Sequence, residues 1–425
     1  MKKLFIIGAG LSGLLAAYLI KKYNEADVII LEQGDSFESR IGYPSGSLVS
    51  GVGGAGTLFG GKFCFPPASS AIWKKTHYTP ALFEKFKESC ITPFLPQGLL
   101  PPQVEQVHLP DSKIKESFFN TQLILKNDMH AFVLKLKGHV LASGVDIRGK
   151  SRLEHFSRAT DGTYEIVYTD KSGKHVAHAH TVVFATGRSS FNTVYKWFGR
   201  FGLVKRQSPD LGIRLTLDSK SHPMFAVGHD RKLKMKLGNI GVRTFCVCSG
   251  GAAVIVQNEH LRYYDGHFLE QLTDHINFGV LARDNFTIEN YILDVYCNIL
   301  GQYINSDMSL KDFFALAPRI MKKEPLVAPV LNSVCKFIDT LKTNEMLNGN
   351  PSGIPVYLPS VDRLNPQISV DENFETPLPN IYVVGDSTGM SRGFIQSMWS
   401  AYCAAEHISS KFNTYMFAPR IKKVA

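Results

Sequence analysis

Leu4-Phe5-Ile6-Ile7-Gly8-Ala9-Gly10-Leu11-Ser12-Gly13 and, a little further on, Val28-Ile29-Ile30-Leu31-Glu32 decide the fold of this chain. Leu4–Ile7 is a short apolar run of the kind that forms a buried parallel strand. The glycine turn follows at once, and Leu14, Leu15, Tyr18 and Leu19 recur at helical spacing behind it. Val28–Leu31 predicts a second strand ending on Glu32. The glycines differ in what they permit. Gly8 allows the tight turn, Gly10 lets a pyrophosphate approach the backbone, and Gly13 lets helix and strand pack closely. The helix N-terminus offers unpaired N–H groups and a positive dipole end to a diphosphate. Glu32, 22 residues after Gly10, is placed to bond a ribose diol. A coincidental glycine-rich turn is the plain alternative for a lone G-x-G-x-x-G. Here strand, turn, helix, strand and acid follow in register, which predicts a dinucleotide site. The motif alone fits NAD as well as FAD.

Further along, six glycines fall between Gly51 and Gly61, interleaved with Val52, Leu58 and Phe59. A flexible linker would carry Ser or Glu there, so the composition predicts a packed loop with unusual dihedrals. Gly144-Val145-Asp146-Ile147 reads as a short strand. Tyr164–Thr169 and His175–Val183 read as antiparallel strands around the turn Asp170-Lys171-Ser172-Gly173. That run ends in Ala185-Thr186-Gly187. His175, His178 and His180 alternate along it, and an exposed strand face suits them better than a metal site. Asn380–Val384 is another buried strand, closing on Gly385-Asp386, and a long helix is predicted from Phe394, with Ile395, Met398, Trp399 and Tyr402 on one face. Asp386 is placed either to accept from a ribityl chain or to cap a turn. The helix start near Gly393–Gln396 could face a flavin pyrimidine.

With these segments in place, the sequence resembles the glutathione-reductase-like FAD superfamily. The resemblance rests on Gly8–Gly13 with Glu32, on Ala185-Thr186-Gly187 and on Gly385-Asp386. More narrowly it is similar to a group of largely uncharacterised bacterial FAD-dependent dehydrogenases. That group shares the glycine loop matched by Ser50–Thr57 with Gly61-Lys62, the Gly212-Ile213-Arg214 strand, and the Thr244–Gly251 segment. The implied fold class is α/β: a Rossmann-like three-layer FAD-binding domain, discontinuous in sequence, with an inserted mixed α+β substrate domain. Residues 1–190 and 361–412 would form the FAD domain, 191–360 the substrate domain and 413–425 a basic tail. Implied cofactor contacts are Gly8, Gly10, Leu11, Ser12, Gly13, Glu32, Gln33 and Arg40; then Gly56, Thr57, Gly60, Gly61, Lys62 and Val145. Ala185, Thr186, Gly187, Gly385, Asp386, Gly393, Phe394, Ile395 and Gln396 complete the set. The chain departs from the group at Gly60-Gly61, where a more polar pair is usual, and in the Phe63-Cys64-Phe65-Pro66-Pro67 that follows, so substrate contacts there should differ.

Composition agrees with a globular protein: of 425 residues, 44% are hydrophobic and 20% charged. The glycines break the N-terminal apolar run, so no signal peptide is expected, and a cytoplasmic location is. Seven scattered cysteines suit reduced thiols rather than a disulfide framework. The formal charge of +10 could favour nucleic acid, an anionic membrane or a phosphorylated substrate. Neutralisation of a pyrophosphate plus solvated surface explains it more simply.

The chemistry would belong to the flavin, with the protein supplying orientation and electrostatics. No second G-x-G-x-x-G follows a strand after residue 32, so electrons are expected from the substrate, from transiently docked NAD(P)H or from another protein. Cys248, Arg392 and Lys62 are the catalytic candidates. Cys246 and Cys248 on a regular strand point to opposite faces, which disfavours a mutual disulfide or a shared metal; pocket lining and a functional thiol both stand. Arg214, Arg243 and Arg392 suit either an anionic substrate or ordinary ion pairs. Asp210–Leu217 and Val242–Val256 are predicted strands, 260–320 helices, Pro318–Pro329 a connector and Pro351–Pro366 a loop. The function expected is hydride transfer between FAD and a small organic substrate. A flavin monooxygenase using external NAD(P)H, an RNA-directed flavoprotein and a non-catalytic flavin scaffold are the alternatives.

Overall fold

The computed structural model describes residues 2–41, 49–68, 70–96, 114–218, 229–258, 261–284, 290–347, 349–363 and 365–417. The chain begins with β1 (Lys2–Ile7), α1 (Leu11–Tyr23), β2 (Ala26–Leu31) and α2 (Phe37–Arg40), then β3 (Gly61–Cys64), α3 (Ser70–Lys75) and α4 (Pro80–Cys90). β4 (Lys115–Ile124), α5 (Lys126–Ala142), β5 (Asp146–Arg148), β6 (Arg152–Arg158), β7 (Tyr164–Asp170), β8 (Gly173–Ala179), β9 (Thr181–Phe184) and α6 (Phe191–Gly199) follow. The middle holds β10 (Val204–Lys205), β11 (Asp210–Asp218), β12 (His229–Leu237), β13 (Ile240–Ser249), β14 (Ala252–Asn258), β15 (Leu261–His267) and β16 (His275–Asp284). Last come α7 (Asn290–Gly301), α8 (Leu310–Lys323), α9 (Ala328–Thr343), β17 (Val356–Asp362), β18 (Gln367–Ile368), β19 (Ile381–Val383) and α10 (Phe394–Phe417).

The first lobe is a parallel sheet in the order β19-β9-β1-β2-β5. Leu4–Ile7, Val28–Leu31, Val182–Phe184 and Ile381–Val383 are apolar and buried because both faces are covered there, while the edge strand β5 (Asp146-Ile147-Arg148) is partly exposed. Helix α1 packs against both α5 and α10 on one side. The antiparallel sheet β6-β7-β8 covers the other, with Phe5 of β1 meeting Tyr168 of β7 at 6.4 Å between ring centroids. This three-layer arrangement is the expected α/β Rossmann-like class. It draws its last strand and last helix from the C-terminal end of the chain.

The second lobe is a seven-stranded antiparallel sheet, β17-β11-β16-β13-β12-β4-β3, with its own apolar core and α7 and α9 packed on it. Two of its strands, β3 and β4, come from the stretch that the sequence assigns to the first FAD segment, while Val194, Trp197 and Phe198 of α6 bury in the core of the first lobe. The Rossmann lobe and the second sheet are therefore stitched together by crossing strands.

Several expectations fail in this lobe. The helices expected over 260–320 give way to β15 and β16 in the first part of that range. Ile276–Ala282 is buried throughout, and Ile276, Phe278 and Val280 alternate with Asn277 and Gly279, a strand signal that the helical expectation for 260–320 overlooks. Pro318 lies inside α8 rather than in a connector. Burial of Leu310, Phe313, Ala317 and Ile320 along one stripe outweighs the roughly 3 kcal/mol cost of an interior proline. The expected loop 351–366 contains β17, and Val242–Val256 is split into β13 and β14 at Gly250-Gly251, where Gly250 has φ +81°. Residues 418–425 of the expected tail lie outside the described residues, and Asn413–Phe417 continue α10. Among the described residues, no helix is long and apolar enough to cross a membrane.

Candidate functional site

The Gly8–Gly13 turn is shaped as its sequence requires. Gly8 has φ +106°, and a Cβ there would sit 2.4 Å from the Ala185 carbonyl oxygen. A Cβ on Gly13 would lie 2.0 Å from the Gly8 carbonyl oxygen, so only glycine lets α1 approach β1 this closely. Gly10 is different. Its imaginary Cβ meets only the Gly54 Cα, at 3.9 Å, so its backbone faces open space. No side chain caps α1 and no acidic residue lies in its first turn, leaving the N–H groups and dipole available to an anion.

Glu32 is buried and fully engaged. One carboxylate oxygen accepts from Ala9 N at 2.8 Å; the other accepts from Gly34 N at 2.8 Å and Gly51 N at 2.9 Å. It thereby fastens the fingerprint turn to the glycine loop, a role its sequence position does not reveal. Arg40 completes the fastening by donating to the Val52 carbonyl at 2.8 Å and Thr57 Oγ1 at 3.0 Å. Burial pulls its guanidinium down to about 10 against the pull of Glu32 and Asp35. Gly53 N donates to the Ala9 carbonyl at 2.9 Å, so loop and fingerprint run side by side.

One cleft starts at this turn and runs between the lobes. Of the expected cofactor residues, Gly8, Gly10, Leu11, Ser12, Glu32, Gln33, Gly56, Gly61, Lys62, Ala185, Thr186, Gly187, Asp386, Gly393 and Phe394 line it. Gly13, Arg40, Thr57, Gly60, Val145, Gly385, Ile395 and Gln396 stand behind the lining. Val145 and Ile395 are core residues. Gly60 N bonds the Phe268 carbonyl at 2.8 Å, and Gly385, with φ +69°, would clash with Ser12 Oγ if it carried a Cβ. Gln396 donates to the Cys64 carbonyl at 2.9 Å, tying the start of α10 to β3.

The far wall is made of charge. Asp210 accepts from Arg243 at 2.6 Å and Arg283 at 2.5 Å, and Arg363 Nε stands 3.5 Å away. Asp362 accepts from Arg243 at 3.0 Å and Arg392 at 2.5 Å. Four guanidiniums thus surround two buried carboxylates, an excess of positive charge at a wall to which Arg243 and Arg392 contribute directly. Burial and the neighbouring Arg392 push Arg363 down to about 9. Burial alone would raise Asp210 and Asp362, but the guanidiniums win and hold both below the usual carboxylate range.

Arg188 bridges Asp386, at 2.8 Å, and Asp265, at 3.3 Å. Asp386 therefore reaches the cleft already engaged, and burial raises its carboxyl despite Arg188. Arg214, an anion-binding candidate by sequence, is fully buried and does not line the cleft. It ties together Asn277 Oδ1 at 2.6 Å, Asp265 at 3.1 Å and the Cys246 carbonyl at 3.3 Å. Asp210, Asp230, Asp265, Asp362 and Arg188 escape a reading of the sequence. For Asp210, Asp265, Asp362 and Arg188 the only signal there is an acid or arginine in or just beyond a largely apolar strand, and Asp230 is hidden among the charges of β12.

The cysteine expectation is corrected here. Cys246 and Cys248 do not face opposite ways: β13 slips register against β16 between Phe245 and Cys248, and the sulfurs lie 3.6 Å apart. Cys246 takes φ +44°, a conformation costing a non-glycine residue on the order of 1–3 kcal/mol. The tripeptide is held from several sides. Lys62 Nζ donates to the Val247 carbonyl at 2.5 Å and lies 3.4 Å from Asp230, whose Oδ1 accepts from Val247 N at 3.3 Å. Burial pulls the Lys62 ammonium down, but Asp230 and the neighbouring thiols outweigh it, so its pKa rises. The three histidines of β8 and its following turn lie apart from the cleft: His175 bonds Asp170 at 2.9 Å, His178 meets Thr163 at 3.3 Å and His180 accepts from Lys3 N at 3.1 Å.

Residues 6–38 match the family model described as an NAD(P)-binding Rossmann-like domain. No curated protein is matched by the sequence. Among solved structures the chain is similar to CabE, an aromatic hydroxylase from angucycline biosynthesis, at 10% identity and TM-score 0.44 over 97% of this chain and 63% of that one. It is also similar to a flavoprotein/dehydrogenase from Cytophaga hutchinsonii, at 12% identity and TM-score 0.42 over 97% and 79%. A third similarity is to aklavinone-11 hydroxylase in complex with FAD and aklavinone, at 10% identity and TM-score 0.39 over 97% and 63%. The chain thus spans less than two thirds of the length of CabE and of aklavinone-11 hydroxylase. Identities and TM-scores this low speak to no shared chemistry.

Proposed function

We propose that the protein is an FAD-dependent oxidoreductase acting on a small organic substrate. The observation carrying this is the continuity of the cleft: it joins the Gly8–Gly10 turn to Gly61, Lys62, Phe394 and the thiols of β13 without interruption. A nicotinamide or flavin dinucleotide needs such a length of groove, with an anion site at one end and a planar ring at the other. The residues fit FAD. The uncapped start of α1 and the open face of Gly10 would take the pyrophosphate, and Asp386 and Gly393–Phe394 would flank the ring end. Bound flavin would supply two-electron redox chemistry. The chain's own residues bind and orient. Arg243 and Arg392 present positive charge to an anionic group on the substrate or on the reduced cofactor, and the second lobe closes over the ring end to exclude water.

The test is direct. Purified protein reconstituted with FAD should retain it through gel filtration, and a colourless product would sink the proposal. Anaerobic exposure to NADH, NADPH and a panel of metabolites should then bleach the flavin with one of them. Bleaching by the organic substrate alone supports a dehydrogenase. NAD(P)H consumption that needs dioxygen and yields a hydroxylated product supports the monooxygenase reading instead.

A further inference from the structure

We propose that Cys246 and Cys248 form a redox dithiol at the ring end of the cleft, closing reversibly to a disulfide and exchanging two electrons with the bound flavin. This deepens the function proposed above and rests on it. Three observations carry it. First, residues two apart on a regular strand point to opposite faces, yet a register slip and a left-handed Cys246 bring these sulfurs to 3.6 Å. A disulfide requires the sulfurs to close from there to about 2.05 Å. Second, both thiols line the same cleft as Gly61, Arg392 and Phe394, so they face the space assigned to the isoalloxazine. Third, the surroundings hold the pair in place. The Cys246 carbonyl accepts from Arg214 and the Val247 carbonyl from Lys62, and a Cβ on Gly266 would lie 2.9 Å from the Cys248 sulfur. Glycine at 266 leaves room for Arg214 and Asn277, which a Cβ would meet at 2.3 and 2.7 Å, as well as for that sulfur.

The two thiols are unequal. Cys248 Sγ points back to the Cys246 carbonyl at 3.3 Å. The sulfur–sulfur contact with Cys248, helped by Lys62 and opposed by burial, draws the Cys246 thiol below the usual thiol range. The same contact and burial push Cys248 up. Cys246 is accordingly the nucleophilic thiolate and Cys248 the proton-holding partner. In the oxidising direction the Cys246 thiolate, its proton already lost to solvent, and Cys248 form one S–S bond as the single S–H bond of Cys248 breaks. Two electrons and that one proton pass to oxidised flavin. An external dithiol reverses the change at sulfur by exchange, its own two thiols becoming a disulfide.

The experiment uses the FAD-loaded protein. After treatment with diamide, the protein is denatured in N-ethylmaleimide and digested with trypsin; Thr244–Arg262 then carries both cysteines and no other. That peptide should run unlabelled and lighter by two hydrogens, and should take two labels after reduction. Anaerobic dithionite titration of the oxidised protein should consume about four electrons per flavin, against about two for Cys246→Ser and Cys248→Ala. Both variants are first checked for retained FAD. Dithiothreitol should bleach the flavin of the wild type and fail to bleach either variant. A doubly labelled peptide after diamide, or two electrons per flavin in the wild type, overturns the proposal while leaving FAD binding intact. Equal bleaching of wild type and variants by dithiothreitol overturns the link to the flavin. Loss of FAD retention in the wild type is the separate failure of the function proposed above, and the peptide readout is independent of it.

Discussion

At the fingerprint end of the cleft, Glu32 meets Ala9, Gly34 and Gly51 through backbone N–H groups, the farthest only 23 positions away. At the opposite end, Arg243 reaches Asp362 across 119 positions and Lys62 reaches the Val247 carbonyl across 185. The first end is built from one acid and local turn geometry; the second from buried charges supplied by strands far apart in the chain. A backbone-lined site presents fixed dipoles to a constant, nucleotide-like part of a ligand. A charge lattice made of side chains can change residue by residue, and suits the part of the cleft where a substrate differs from one enzyme to the next.

This contrast can be broken at several points. The largest effect is expected at Asp210, whose replacement by Ala leaves Arg243 and Arg283 short of their central carboxylate. The cost should be about 3–5 kcal/mol in chemical denaturation, less what Asp362 recovers for Arg243. A change under about 1 kcal/mol would show the lattice to be loosely coupled. The same two carboxylates set a pH dependence. Their folded pKa values lie below the ordinary aspartate value of 3.8, so their stabilisation is complete above that value and is lost as pH falls beneath it. In that window the unfolded chain binds more protons, so unfolding free energy should fall with acidification, and the Asp210→Ala variant should show a shallower fall.

Glu32→Gln tests the other end. The amide turns one acceptor into a donor facing backbone N–H groups, at a cost of about 2 kcal/mol. It should also weaken FAD retention because Gly51 and Ala9 lose their common anchor. Unchanged retention together with unchanged stability would count against the fastening role. The smallest effect is expected at the surface tie between the lobes, where Lys126 meets Glu270 at 2.7 Å with Glu270 half exposed. Lys126→Ala should move the unfolding free energy by about 0.2–1 kcal/mol, and less in high salt. A larger loss would mean the lobes depend on their rim and not on their buried contacts.

The Rossmann lobe is readable because its information is local. Gly8 and Gly13 are demanded by backbone geometry within one turn, and β1, α1 and β2 stand where their apolar periods place them. The helix expected across β16 overlooks the alternation of Ile276, Phe278 and Val280 with Asn277 and Gly279, and Pro318 reads as a terminator although packing carries α8 through it. The spacing of Glu32 marks its position but not its fastening of two loops. Arg214 stands out in sequence for its charge, yet it is a buried strut. Asp210, Asp362 and Arg188 do not stand out at all, since an ion pair spanning a hundred residues leaves no periodic trace.

The sequence by itself determined the α/β class, the glycine turn and the segments that gather around it, because dihedral freedom and hydrophobic period are properties of neighbouring residues. Only the tertiary structure decided what the cleft's second end is made of. It brought β3 and β4 into the other lobe's sheet, surrounded two aspartates with four arginines, and turned Cys246 and Cys248 toward one another. The register slip of β13 exists only against β16, a strand that the fold and not local sequence places beside it.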